Sequence, residues 1–433
     1  MITKRFTWAL AALLTLAGLA SPAKADLDAY LKKPDTSFAW SLASSKTVGD
    51  VTVHQIKMTS QVWQGIPWTH NISIIVPPDI AFPDAALLFI SGGSVGDEPR
   101  DKDLSVGFAI AKACRARVVV LPQVPNQPLL GGKKEDALIV ETFMRYLETK
   151  DGDWPLLFPM VKSAIRAMDA AQAFAEEQKT PITRFVVSGA SKRGWTTWLT
   201  GASDPRVKAI APMVIPTLKL EAQGKHQLEN FGGQYSEQIK DYTDRKILGG
   251  ANPEATKLLA MVDPITYRDR LSLPKLQING TNDPYWTLDS MNLYWDDLIG
   301  PKWVVYLPNA GHGLDQHREY AINGVGALFR HVMSNTPFPE ISWKFTEETG
   351  DVRLDVTSKP APKSVQIWTA TSKTLDFRES PWTSSPLLSQ RTMSVSQPKP
   401  ETGNIGIFAD LEYEIDGFSY HLSTQVHQTN RKD

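Results

Sequence analysis

The sequence predicts an α/β protein: a mostly parallel sheet covered by helices, interrupted by a helical insertion and followed by a small β-sandwich. Two observations carry that reading. From Ala85 onwards, apolar runs rich in β-branched residues alternate with stretches of helical spacing, as a sheet buried on both faces requires. After Pro337 and Pro339 the pattern changes to short strands separated by turns, the signature of a two-sheet sandwich. With 433 residues there is room for one large and one smaller domain, and the boundaries fall at residues 1–25, 26–337 and 338–433.

Residues 1–25 read as a signal peptide. Lys4 and Arg5 give a basic start, residues 6–20 are apolar, and Ala23-Lys24-Ala25 supplies the small residues of a cleavage site before Asp26. The apolar run falls short of the roughly 20 residues that span a bilayer, which makes an uncleaved anchor the lesser alternative. Export to the periplasm or the medium is expected, without stable membrane insertion afterwards. A formal net charge of −1 gives no electrostatic case for nucleic acid. Cys114 is the single cysteine, so no internal disulfide can form. It sits in an Ala-rich helical stretch, where packing is the expected role.

In chain order, residues 51–58 and 68–76 alternate as half-buried strands and form an antiparallel entry to the sheet. His54 and His70 fall on those strand faces with no chemical role. Residues 85–90 are wholly apolar, as a central strand is, and Ser91-Gly92-Gly93-Ser94 follows at once. Glycines there let backbone N–H groups approach a ligand, although a plain flexible turn is the alternative. A helix over 104–115, a strand over 117–121 and a Pro/Gly-rich loop to Gly132 come next. Helices over 135–149 and from Trp154 to Phe174 lead to the strand 183–188. Residues 207–215 form another strand. Residues 217–274 lack a clear one and read as a helical cap over the pocket, with His226, Tyr235 and Tyr242 as candidate walls. Strands at 274–280 and 302–307 flank a helix near 293–298, and a helix over 318–334 closes the sheet.

Chemistry concentrates at three places. Ser191 stands at the apex of a strand-turn-helix stretch, Phe185-Val-Val-Ser-Gly-Ala-Ser-Lys-Arg-Gly-Trp195. The usual nucleophile turn reads Gly-x-Ser-x-Gly, and here Arg193 occupies the second glycine position. Asp283 follows the strand 274–280, and His312 follows 302–307 between Gly311 and Gly313. Ser, Asp, His in that order, each after a central strand, predicts the catalytic triad of an α/β-hydrolase. The Lys192 N–H together with Gly93 or Ser94 would form the oxyanion hole. Arg193, Trp286 and Tyr235 are substrate-binding candidates. Asp289 and His317 are rivals for the acid and the base, and a metal site at His312, Asp315 and His317 is the weakest alternative, so neither metal nor cofactor is expected. Lys192 and Arg193 are either solvated charges at a helix start or cations beside the oxyanion.

Several stretches resemble the PhoPQ-activated pathogenicity-related protein family: Gly189-Ala-Ser-Lys-Arg-Gly-Trp-Thr, Phe231-Gly-Gly-Gln-Tyr-Ser, Tyr267-Arg-Asp-Arg-Leu with Pro274-Lys-Leu, and Asn279-Gly-Thr-Asn-Asp. Residues 30–40 and Thr59-Ser-Gln-Val-Trp63 are similar to it as well. The resemblance implies an exported protein with an α/β-hydrolase-like fold and a role tied to envelope stress. It implies no substrate. Residues and resemblance together lead to the expectation of an exported serine hydrolase acting on a small-molecule ester. A peptidase acting on peptide substrates and a non-catalytic binding protein are the alternatives.

Overall fold

The computed structural model describes residues 26–248 and 252–429; the expected signal peptide lies outside them. Short helix α1 (Leu27–Leu31) precedes three antiparallel strands, β1 (Ala39–Val48), β2 (Val51–Trp63) and β3 (Ile66–Val76). The chain continues through β4 (Ala85–Ile90), α2 (Asp101–Cys114), β5 (Arg117–Leu121), α3 (Glu135–Thr149), α4 (Leu157–Glu177), β6 (Arg184–Ala190), α5 (Lys192–Ser203) and β7 (Val207–Met213). Then come α6 (Leu220–Asn230), α7 (Lys240–Asp244), α8 (Pro253–Val262), β8 (Lys275–Gly280), β9 (Lys302–Leu307) and α9 (Arg318–Ser334).

The strand order is β1-β2-β3-β5-β4-β6-β7-β8-β9. Pairing is antiparallel as far as β5 and parallel from β5 to β9. This is the α/β-hydrolase fold. Every residue of β5 and β8 is buried; β5 is accordingly a nearly continuous apolar run, whereas β8 buries Gln277, which accepts the Tyr294 hydroxyl at 2.5 Å. Two apolar cores result, one on each face. Phe143 of α3, Met168 of α4 and Trp198 of α5 belong to one; Ile110 and Cys114 of α2 and Val325, Leu328 and Phe329 of α9 belong to the other. Cys114 is buried there, and burial pushes its thiol pKa up, so it packs and does not react.

Register places the functional loops together. Ile90 of β4 lies opposite Gly189 of β6, so Gly92 and Ser191 leave the sheet side by side. Gly280 of β8 lies opposite Leu307 of β9, which brings the loops bearing Asp283 and His312 next to each other. All four positions stand at the carboxyl ends of parallel strands, where such sheets bind ligands. Residues 217–274 fill the connection from β7 to β8 with α6 to α8 and short 3₁₀ turns.

Beyond α9, β10 (Glu340–Glu347), β11 (Asp351–Lys359), β12 (Ser364–Ser372), β13 (Thr383–Leu387), β14 (Thr392–Pro398), β15 (Asn404–Ile415), β16 (Phe418–Ser423) and β17 (His427–Gln428) make two facing sheets. One is β10-β11-β14. The other continues the main sheet through β16, β15, β12 and β13. Ser423 of β16 pairs with Val304 of β9, and its Oγ accepts the Tyr306 N–H at 3.1 Å.

Two elements differ from expectation. Strand β1 is largely exposed and rich in Ser and Ala, so no alternation announces it. The helix expected near 293–298 is instead two 3₁₀ turns, Ser290–Leu293 and Trp295–Asp297. Tyr294 and Trp295 are both buried, and tertiary bonds hold the segment: Tyr294 donates to Gln277 Oε1 at 2.5 Å, and Lys302 Nζ donates to the Trp295 and Leu298 carbonyls.

Candidate active site

Ser191 is held at φ 57°, ψ −125°, a sparsely populated conformation for a residue with a side chain. Packing over-determines it. Its N–H donates to Met213 O at 2.8 Å, and Trp195 N–H donates back to Ser191 O at 2.9 Å. The strain presents the Ser191 hydroxyl above the turn, with the first N–H groups of α5 beneath it. His312 Nε2 lies 2.9 Å from Ser191 Oγ. His312 Nδ1 lies 2.8 Å from Asp283 Oδ2. Asp283 Oδ1 accepts the Tyr285 N–H at 2.8 Å, which aims the carboxylate at the imidazole. Donation from Nδ1 to Asp283 leaves Nε2 as the acceptor for the serine proton, the tautomer that this hydrogen-bond network selects. The Tyr285 ring stacks on His312, with centroids 4.0 Å apart, and fixes the plane of the imidazole.

The rival assignments are occupied elsewhere. Asp289 Oδ1 lies 2.6 Å from His226 Nε2, and both residues are buried. His226 therefore serves that pair and is not a wall of the pocket. His317 stands at the start of α9 within 3.7 Å of Glu319, and Asp315 pairs with Arg318 at 3.2 Å. His70 is buried and bonded to Ser60 and to the Pro122 carbonyl; burial lowers its pKa to about 4, so it stays neutral.

Beside Ser191 lies a cavity of about 30 Å³, room for one or two water-sized groups. Its walls are mostly apolar and include Trp195, Leu259 from the cap, and Trp286. Trp286 is a substrate-binding candidate that the structure places here. Its Nε1–H is buried with no hydrogen-bond partner, alone in this among the described cavity-lining side chains. Tyr235, by contrast, lines a separate groove on the far side of the cap with Lys225 and Ile265. A larger groove of about 600 Å³ runs between β2 and α2, but none of Ser191, Asp283 or His312 lines it.

Lys192 and Arg193 are not solvated: they are 7% and 8% exposed, and Lys192 borders the cavity. Two adjacent acids at the start of α3 receive them. Lys192 Nζ lies 2.9 Å from Asp136 Oδ2 and 3.5 Å from Glu135 Oε2. Arg193 binds both Glu135 oxygens at 2.7 Å and donates from Nε to the Val124 carbonyl at 2.5 Å. Arg193 is thus a structural clamp and not the substrate contact that the sequence suggested. Burial alone would raise the Glu135 pKa, but the Arg193 guanidinium and Gln127 outweigh it and hold the carboxyl at about 2. Of these four charged groups, Lys192 and Asp136 line the cavity, and their pairing leaves its wall formally neutral. Tyr242 of the cap donates to Asp136 Oδ1 at 2.9 Å, and burial raises its pKa well above the usual value, which keeps it a donor.

Of the oxyanion candidates, Ser94 is already committed: its N–H donates to Asp97 Oδ2 at 2.7 Å. Lys192 directly follows Ser191, and Gly93 in the loop after β4 is left as the other backbone candidate. Sequence alone could not pair Arg193 with Glu135, which lies 58 residues earlier in a helix start that looks like any acidic first turn.

The family model for the PhoPQ-activated pathogenicity-related protein matches residues 27–378. Autocrine proliferation repressor protein A of Dictyostelium discoideum is 30% identical over 439 aligned residues, spanning 93% of this chain and 88% of that protein. Among solved structures, acetyl xylan esterase 1 from a Thermoanaerobacterium species superposes with a TM-score of 0.49 at 16% identity, over 72% of this chain and 94% of that one. An S-formylglutathione hydrolase from Agrobacterium tumefaciens does so at 0.44 and 14%, over 68% and 99%. Likenesses at that level say nothing about substrate. The family model and the Dictyostelium relative, each covering most of this chain, establish that it belongs to the PhoPQ-activated pathogenicity-related protein family.

Proposed function

We propose that this protein is an exported serine hydrolase that cleaves carboxylic esters with short, uncharged acyl groups. The observation that carries the reading is the hydrogen-bonded chain Ser191–His312–Asp283, with Ser191 Oγ at 2.9 Å and Asp283 Oδ2 at 2.8 Å from the two imidazole nitrogens. His312 Nε2 takes the Ser191 proton as Oγ attacks the ester carbonyl carbon. The resulting oxyanion is met by the Lys192 and Gly93 N–H groups, preorganised donors that need not reorient during the reaction. His312 then hands the proton to the leaving alkoxide, and an acyl-Ser191 ester remains. A water deprotonated by His312 releases the acid and restores the serine. Asp283 stabilises the imidazolium formed in each half-reaction.

The small apolar cavity and its neutral polar wall favour a short acyl group without charge. They also favour an ester over a polypeptide, whose residues on both sides of the scissile bond need an open groove. Export rests on the basic start at Lys4 and Arg5 and the cleavage motif Ala23-Lys24-Ala25. N-terminal sequencing of the secreted or periplasmic protein should begin at Asp26. An envelope role rests only on what the family resemblance implies.

Labelling with a fluorophosphonate tests the chemistry. The purified protein should label at Ser191, and Ser191→Ala should abolish labelling and lower turnover of an aryl acetate by roughly 10⁶. Labelling that persists in Ser191→Ala would sink the assignment. The name of the Dictyostelium relative supports a second reading, a signalling protein that keeps the fold without turnover. A wild-type protein that neither labels nor hydrolyses aryl esters of two to four acyl carbons would favour it.

A further inference from the structure

We infer that Arg193 and Glu135 are positioning residues that lock the oxyanion loop to the nucleophile turn. The inference rests on the hydrolase reading above and explains why the second glycine of the usual motif is missing. In Gly-x-Ser-x-Gly turns the glycines let the strand end and helix start approach closely. Here Gly189 and Gly194 make that room: a Cβ on Gly189 would lie 2.9 Å from Arg193 Cβ and 2.8 Å from Arg193 O, and one on Gly194 would lie 2.9 Å from both Gly189 O and Met213 O. The freed position is used for reach. The guanidinium extends along the strand ends to Gly92, where an added Cβ would lie 2.6 Å from Arg193 Nη2. Gly92 is therefore small because Arg193 lies against it.

A closed ring of bonds follows. Arg193 grips Glu135 through two bonds of 2.7 Å. Gln127 Nε2 donates to Glu135 Oε1 at 2.6 Å and to the Gly93 carbonyl at 3.2 Å, while the Glu135 N–H donates to Gln127 Oε1 at 2.8 Å. The peptide between Gly93 and Ser94 is thus held at both ends, its oxygen by Gln127 and its N–H by Asp97 at 2.7 Å. Arg193 Nε meanwhile anchors the Val124 carbonyl, in the neighbouring loop after β5, at 2.5 Å. One side chain, two residues beyond the nucleophile, therefore sets the position of the loop that offers the Gly93 N–H. A bidentate, planar contact of this kind fixes orientation as well as distance.

Kinetics on an aryl acetate test the inference, together with affinity for an aryl boronic acid that forms a tetrahedral adduct with the serine. Arg193→Lys keeps the charge but loses the fork. Arg193→Gly restores the usual motif. The double variant Arg193→Gly/Glu135→Gln also removes the orphaned carboxylate. Each folded variant should lose about 10²-fold or more in kcat, with KM within threefold and boronate affinity falling in parallel with kcat/KM. A merely structural role would lower the thermal midpoint without that split. If the pair is required for folding, Gln127→Ala carries the test, since it leaves the pair in place and cuts the bond to Gly93. A folded double variant, or a folded Gln127→Ala protein, with unchanged kcat and boronate affinity overturns the inference. Wild-type protein that fails to label with fluorophosphonate overturns the hydrolase reading and this inference with it. Labelling of the wild type and variants at equal rates overturns only the inference.

Discussion

Asp283 is 6% exposed and commits both carboxylate oxygens, one to His312 Nδ1 and one to the Tyr285 N–H. Asp283→Asn keeps the shape but presents an amide to Nδ1, which favours the wrong imidazole tautomer. Turnover should fall about 10⁴-fold with little change in thermal midpoint; steady-state kinetics beside a melting curve checks both. These three side chains were legible in the sequence because each sits in a loop directly after an apolar strand, and loop position is what the fold fixes. Ser94 and Tyr235 were misjudged for a common reason. Whether a side chain or N–H is free depends on neighbours such as Asp97, three residues away in a turn, or on which face of the cap a ring takes. Sequence spacing does not encode either.

At the scale of elements, the cap is tied at its root and at its tip. Asp263 accepts the Leu220 N–H at 2.8 Å and the Ile265 N–H at 3.0 Å, so one carboxylate caps the entry to α6 and the exit from α8. Burial pushes its pKa up to about 6, with those backbone donors offsetting part of the rise. A carboxyl whose pKa is higher folded than unfolded binds more protons in the native state. Its contribution to stability therefore grows as pH falls through about 6 and levels off below the unfolded value of roughly 4. Asp263→Asn should remove that component: the difference in thermal midpoint between variant and wild type should shift in favour of the wild type as pH drops from 7 to 4. At the tip, Tyr242→Phe leaves Asp136 Oδ1 without its donor. A destabilisation of about 1–3 kcal/mol is expected by denaturant titration, accompanied by a raised KM as the cap loosens over the cavity.

On the scale of the whole molecule, the sandwich is continuous with the α/β core. Val352, Leu354 and Val356 of β11 and Ile407, Ala409 and Leu411 of β15 belong to the same apolar cluster as Leu328 and Phe329 of α9. Calorimetry should accordingly give one unfolding transition, and a chain ending at residue 337 should aggregate because that cluster is opened to water. Two separable transitions would contradict a shared core. Alternation marked this region as short strands without disclosing β13, β14 or β17, and the β9–β16 junction rests on a single residue pair and one serine hydroxyl. No periodicity marks such a contact.

That junction also dictates an order of events. Tyr306 and Ser423 are 117 residues apart, so β9 is synthesised long before the strand that covers its outer side. Until β16 arrives, the parallel sheet carries a bare row of peptide groups along β9, an open template for pairing with other chains. Closing so long a loop is slow compared with local helix formation. The nascent protein should therefore pass through an interval in which its α/β half is assembled but adhesive. Its yield should depend on chaperone supply and protein concentration more than its native stability would suggest.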